Sequence, residues 1–129
     1  MAHKKIQRTA KAILNALECP EGELSILIVD DAEIARINKT YLGRSGPTNV
    51  IAFPMTEGQF GDINPNLLGD VVISLDTAAR EARDGCVSLE SRFDQLLIHG
   101  ILHLFGFDHE QTEQDSEMTV KEEQLLKLL

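Results

Sequence analysis

The sequence predicts an α/β (α+β) fold in which a single domain, residues 1–129, packs a small mixed sheet with about five helices. A chain of 129 residues is a typical length for one hydrophobic core. Segments with apolar residues at helical spacing alternate with short runs rich in β-branched residues. Helical segments also separate the early strands, and such crossovers favour some parallel pairing.

The chain opens with a predicted amphipathic helix, about His3–Leu17, because its apolar residues recur at steps of three and four. The segment CPEGE ends this helix, and the apolar run LSILIVD, Leu24–Asp30, reads as a strand. Asp30 followed by Glu33 resembles a capping box, which opens a second helix that continues through Tyr41.

The middle of the chain is predicted as loop, two strands and a helix. The segment GRSGPTN is rich in turn residues, and VIAFP, Val50–Pro54, is a strand that ends at its proline. After the long connection TEGQFGDINPN, the run LLGDVVISL, Leu67–Leu75, predicts a further strand. The segment DTAAREARDG, Asp76–Gly85, follows as a helix that ends at its glycine.

The last third of the chain contains the central helix. Ser88 is the expected N-cap of a core helix, Leu89 to about Phe105, and Gly106 is its natural terminator. A final helix, about Thr112–Leu129, completes the order α-β-α-β-β-α-α-α. The acids of the C-terminal stretch predict a solvated surface, which offers a contact for a basic protein.

Charge and cysteine content narrow the class of protein. The formal net charge is −9, which is unfavourable for a protein that binds nucleic acid over its whole surface. The stretch Ile34–Thr56 is an exception, since it contains Arg36, Lys39 and Arg44 but no acid. Two isolated cysteines favour a reducing cytoplasm, and the short, interrupted apolar runs predict no membrane span.

Three of the four histidines lie in the segment IHGILHLFGFDHE. His99 and His103 are one helical turn apart, so their imidazoles share a flank of the predicted core helix. His109 reaches the same point only if the chain turns back, and Gly106 permits such a turn. The spacing therefore predicts a metal tripod of His99, His103 and His109.

Three imidazole ligands indicate Zn²⁺, one ion per chain, with a fourth position left for water or substrate. We expect Asp108 or Glu110 to orient one of the imidazoles. The spacing is also that of the metzincin peptidase signature H-E-x-x-H-x-x-G-x-x-H, but Gly100 occupies the position of the glutamate base. The metal cage is thus zincin-like, and the peptidase machinery is incomplete.

The segment HGILHLFGFDH resembles the H-G-x-L-H-L-x-G-x-D-H signature of the YbeY family of bacterial endoribonucleases and rRNA maturation factors. The segments INKTYLGRSGPTNVIAFP and LLGDVVIS resemble two further blocks of that family, in the same order. The resemblance implies a zinc-dependent endoribonuclease that cleaves single-stranded RNA. It would act in maturation of the 3′ end of 16S rRNA and in ribosome quality control. The zinc would be held by the three histidines.

The resemblance also suggests where the substrate binds. Leu42 stands where the family usually has arginine, so we expect Arg44 to reach the same phosphate, with Thr48 and Asn49 as further contacts. Ala52 replaces the usual serine. Two alternatives stay open: a noncatalytic ribosome-assembly factor stabilised by zinc, and a metallopeptidase. The sequence assigns no residue as general base or nucleophile.

Overall fold

The computed structural model describes residues 3–55, 66–107 and 112–129. Within these ranges it contains five helices and three strands in the predicted order. Their bounds are α1 His3–Ala16, β1 Glu23–Val29, α2 Asp31–Leu42, β2 Val50–Pro54, β3 Leu67–Ser74, α3 Leu75–Asp84, α4 Leu89–Leu104 and α5 Thr112–Leu128. Each predicted element is confirmed to within one or two residues at its ends, and the connection 56–65 lies outside the described residues.

The three strands form a mixed sheet in the order β1-β3-β2. β1 runs parallel to β3, with Ile26 opposite Val71, whereas β2 runs antiparallel to β3, with Ala52 opposite Val71. The predicted mixed pairing is therefore confirmed. Parallel strands need a crossover connection, and here α2 and β2 lie between the two parallel strands in sequence.

The central strand β3 is buried on both faces, which explains its nearly continuous apolar sequence. Val71 and Ile73 belong to the larger apolar core, to which α1, α3, α4 and α5 contribute. Val72 packs on the other face, in a smaller cluster with Ile34 and Ile37 of α2. The domain is thus three layers deep, with α2 on one side of the sheet and the other helices on the opposite side.

Helix α4 is the centre of the larger core, because residues around most of its circumference are buried. Its fully buried side chains include Phe93, Leu97, Ile101 and Leu102. Ser88 caps the helix as predicted, since its Oγ accepts a hydrogen bond from the Ser91 backbone N–H at 3.0 Å.

Of the two hydrogen bonds that make up the capping box predicted for α2, the structure contains one. The Asp30 side chain accepts a hydrogen bond from the Glu33 backbone N–H at 2.8 Å, as in a capping box. The Glu33 carboxylate, however, pairs with the Arg36 guanidinium one turn further along the helix. The electrostatic attraction of this i, i+3 pair competes with the return bond to the cap.

Cys19 and Cys86 are both free thiols.

Among the described residues, no helix combines the length and the apolar character that crossing a membrane requires.

Candidate metal centre and adjoining cleft

Two of the predicted metal ligands converge on one point. His99 and His103 project from the same flank of α4, and their Nε2 atoms are 3.0 Å apart. Both rings are partly buried and meet edge to face, with centroids 4.6 Å apart. Zn–N bonds of about 2.0–2.1 Å would set two tetrahedral ligand nitrogens roughly 3.3 Å apart. The two imidazoles therefore fit a common zinc ion after a small adjustment.

A carboxylate from another helix orients the first of these imidazoles. Glu122 Oε1 on α5 lies 2.7 Å from His99 Nδ1. An ionised carboxylate only accepts hydrogen bonds, so Nδ1 carries a hydrogen, and in the neutral ring Nε2 is then the nitrogen that can bind a metal beside His103. Metal-binding histidines in proteins have this arrangement of a carboxylate behind the ring. The donor set thus has the chemistry of a zinc site.

The chain turns sharply after the second histidine, as the tripod requires. Gly106 has φ +93°, in the left-handed region that favours glycine. Its N–H donates to His103 O at 3.0 Å, and the N–H of Phe107 donates to Leu102 O at 3.1 Å, which forms a Schellman motif. His109, like Asp108 and Glu110, lies outside the described residues. Its role as third ligand stays a prediction.

Gly100 lies against the sheet. A Cβ atom at this position would lie 2.6 Å from Val71 Cγ1 and 3.2 Å from Val50 Cγ2. Both contacts are with short, branched side chains that rotate only between a few conformers. The position beside the first histidine therefore has no space for the glutamate that a zincin peptidase uses as its base.

A cleft of about 620 Å³ opens beside the two histidines. It brings the predicted substrate residues Arg44, Thr48 and Asn49 together with His99 and His103 in one concave surface. Among the described residues that line it, Arg44 is the single formally charged side chain, and no carboxylate is present. In a chain with a net charge of −9, such a cleft favours an anionic ligand.

The loop that carries Arg44 is fixed to the end of α2. Gly43 has φ +66° and ends the helix, and the Arg44 N–H donates to Asn38 O at 3.3 Å. The Asn38 side chain is buried, and its Nδ2 donates to Gly46 O at 3.0 Å. Asn38 thus holds both sides of the turn, while the Arg44 side chain is exposed and able to reach a ligand.

Asn49 lines the cleft but is also bound to the protein. Its Oδ1 accepts a hydrogen bond from the Val50 backbone N–H at 2.7 Å. Its Nδ2 is 3.3 Å from each carboxylate oxygen of Glu81, which in turn accepts hydrogen bonds from Arg92. The side chain therefore positions the start of β2, and its contact with a substrate stays a prediction. Thr48 is half-buried at the cleft wall.

Three positioning residues were not singled out from the sequence: Glu122, Asn38 and Glu81. The prediction that the last helix presents a solvated acidic surface is wrong for Glu122, because this residue lies between α5 and α4. A signal was available, since Glu122 falls four residues after Met118 and three before Leu125, on the apolar face. Asn38 and Glu81 carry no comparable local signal.

Comparison with known proteins identifies the family. The model of the family described as Endoribonuclease YbeY matches residues 1–129. The chain belongs to the YbeY family. A relative named Endoribonuclease YbeY from Syntrophotalea carbinolica is 54% identical over 117 residues, which cover 90% of this chain and 78% of the relative. One of the same name from Geobacter sulfurreducens is 48% identical over 128 residues, covering 98% and 85% of the two chains.

A solved structure supports the YbeY fold at a greater distance in sequence. The solution structure of TM1509 from Thermotoga maritima superimposes with a TM-score of 0.68 and covers 99% of this chain and 83% of that protein. Its sequence identity of 24% limits the comparison to the fold. The α/β architecture is thus found in a solved structure of similar topology.

Proposed function

We propose that this protein is a zinc-dependent endoribonuclease that cleaves single-stranded RNA in the maturation of rRNA. The substrate would be the 3′ end of 16S rRNA, and the same activity would serve ribosome quality control in the cytoplasm, in contact with small-subunit proteins. Its relatives carry the name Endoribonuclease YbeY, which supports the reaction class. One zinc ion per chain would be held by His99, His103 and His109.

The observation that carries this proposal is a cleft whose described lining residues include no carboxylate, beside two convergent imidazoles. A phosphodiester is an anion, and it is repelled by acids wherever they line its path. The described lining residues provide Arg44 and several neutral polar groups instead. The acids elsewhere on the protein oppose nonspecific adhesion, so binding would be confined to this cleft.

The chain's own residues would position the RNA. Arg44 would pair with a phosphate oxygen, for which a guanidinium has suitable paired donors. The Thr48 hydroxyl would donate a hydrogen bond to a neighbouring oxygen of the RNA backbone. Asn38 would keep Arg44 at the cleft mouth through its bonds to the loop. Bound zinc would supply Lewis-acid polarisation of the scissile phosphodiester.

The packing of Gly100 weighs against the metallopeptidase alternative. A peptidase of the zincin type needs a glutamate at this position, and the contacts with Val71 and Val50 leave no room for it. Loss of such a base lowers a rate by about 10²- to 10⁴-fold. Polarisation of a phosphodiester does not require that residue.

Cleavage of a 5′-labelled single-stranded RNA by the zinc-loaded protein tests the proposal. His103→Ala, purified identically, should lose the activity, whereas His3→Ala, which changes an exposed histidine far along the chain, should keep it. Equal cleavage by the parent and His103→Ala would indicate a contaminating nuclease. Absence of cleavage in all preparations, together with zinc binding, would replace the proposal with the noncatalytic assembly factor.

A further inference from the structure

The buried face of α5 contains a carboxylate where packing alone would call for an apolar residue. Met118 and Leu125 are buried, with exposed fractions of 0% and 2%. Glu122 lies between them, at helical steps of four and three, on the same face. Its neighbour Glu123 is exposed, as expected for an acidic helix surface.

A carboxylate on a packing face is unfavourable for folding unless a partner compensates its lost hydration. The side chain of Glu122 is 27% exposed, and the partner on α4 is His99, whose side chain is 26% exposed. The contact with His99 Nδ1 is a compensation that an apolar side chain at this position would not need. Stability of the fold is therefore an insufficient reason for a glutamate here, where leucine or methionine would pack.

We infer that Glu122 is a positioning residue for the metal centre, which acts through the ring of His99. The 2.7 Å contact with Nδ1 fixes the ring tautomer and its rotation, so that Nε2 is presented as a ligand beside His103. The inference rests on the proposed function, because it assumes that these histidines bind zinc. It assigns to α5 a part in the metal centre in addition to its packing.

Zinc affinity, measured by competition with a chromophoric chelator, separates this role from a structural one. Glu122→Met should bind zinc about 10- to 100-fold more weakly than the parent, as expected when the group behind a metal-binding histidine is removed. The thermal midpoint of the metal-free variant should equal or exceed that of the parent, because the apolar face becomes continuous. Glu122→Gln keeps an oxygen acceptor and should restore part of the affinity.

Glu123→Gln and Glu123→Met are the matched controls, since they change the adjacent exposed glutamate in the same ways. Both should bind zinc as the parent does. The inference is overturned if Glu122→Met keeps the parent's zinc affinity. It is also overturned if the metal-free variant melts at a lower temperature than the parent and its loss of zinc affinity is no larger than this loss of stability explains. A parent protein that binds no zinc would instead overturn the metal part of the proposed function. A parent protein that binds zinc but does not cleave RNA would overturn only the proposed reaction and would leave the role of Glu122 standing.

Discussion

Within α4, the residues from His99 to His103 face two different surroundings, the buried core and the cleft. Gly100, Ile101 and Leu102 are buried against the sheet and neighbouring helices. The two histidines are partly exposed at the cleft. The helical repeat makes this division possible, because residues four apart share a flank whereas the residue next in sequence lies about 100° away. The glycine lets the helix approach the sheet closely enough to hold both imidazoles in place.

Arg44 is the one formally charged side chain among the described residues that line the cleft, so its removal tests the role of the cleft directly. Arg44→Ala should lower kcat/KM for single-stranded RNA by roughly 10- to 100-fold, the effect of removing a hydrogen bond to a charged group. It should also reduce the dependence of binding on salt concentration by about 0.7 in the log–log slope, because one phosphate contact is lost. Steady-state cleavage and binding at several salt concentrations measure both quantities.

Lys39→Ala is the matched control for Arg44→Ala. Lys39 is an exposed cation of the same acid-free stretch, but it does not line the cleft. Its removal should leave kcat/KM within about twofold of the parent value. If Arg44→Ala cleaves at the parental rate, the expectation that Arg44 replaces the arginine usually found at the Leu42 position is wrong.

At the scale of elements, Asp31 joins the start of α2 to the start of α3. Its Oδ1 accepts hydrogen bonds from Ser74 Oγ at 2.7 Å and Thr77 Oγ1 at 2.6 Å, and its Oδ2 accepts one from Arg80 at 2.7 Å. The Asp31 backbone N–H donates in turn to the Asp76 carboxylate at 3.0 Å. Two helices on different faces of the sheet are thereby held at one end of β3.

This junction makes part of the stability dependent on pH. The Arg80 guanidinium, with the hydroxyls of Thr77 and Ser74, lowers the pKa of Asp31 from its ordinary value of 3.8 to about 2. A carboxylate whose pKa is depressed by folding stabilises the fold above its unfolded pKa. That contribution is lost as the pH falls through the folded value. Urea denaturation of the parent should therefore show stability decreasing between about pH 4 and pH 2.

Asp31→Asn isolates this contribution. The variant should be less stable than the parent at pH 6, and the difference between the two proteins should shrink as the pH approaches 2. Asp84→Asn, at the exposed end of α3, changes a carboxylate that has no part in this junction and should keep the parent's stability at pH 6. A constant difference between the parent and Asp31→Asn from pH 6 to pH 2 would contradict the assigned role.

At the scale of the whole molecule, the candidate site draws on three separate parts of the chain. The histidines come from α4, Arg44 comes from the loop after α2, and Glu122 comes from α5. Under the proposed function, a metal ion at their junction would bind the folded protein and would find much weaker sites on the unfolded chain. Ligands of this kind stabilise the entire domain by mass action.

Removal of zinc should therefore lower the thermal midpoint. At free zinc 100 times the dissociation constant, the stabilisation is about 2.7 kcal/mol, which corresponds to roughly 10 °C for a domain of this size. Scanning calorimetry with and without a chelator measures the difference. His103→Ala should show almost no response to the chelator, and a parent protein that also fails to respond would contradict zinc binding at this site.

The sequence by itself determined the order and bounds of the elements and the convergence of two histidines. These features depend on short-range rules: the spacing of apolar residues, the caps at Asp30 and Ser88, and the helical repeat that brings His99 beside His103. The mixed pairing of the sheet followed as well, because a helical connection between two strands favours parallel alignment.

Only the tertiary structure decided which acid contacts His99 Nδ1 and which contacts fix the residues that line the cleft. Glu122 and His99 are 23 residues apart, and they meet only because α5 packs against α4. Asn49 and Glu81, separated by 32 residues, meet in the same way. Periodicity and capping act over a few residues along the chain. The partners of a polar side chain on a packing face are set by the three-dimensional arrangement of whole elements, which no local pattern encodes.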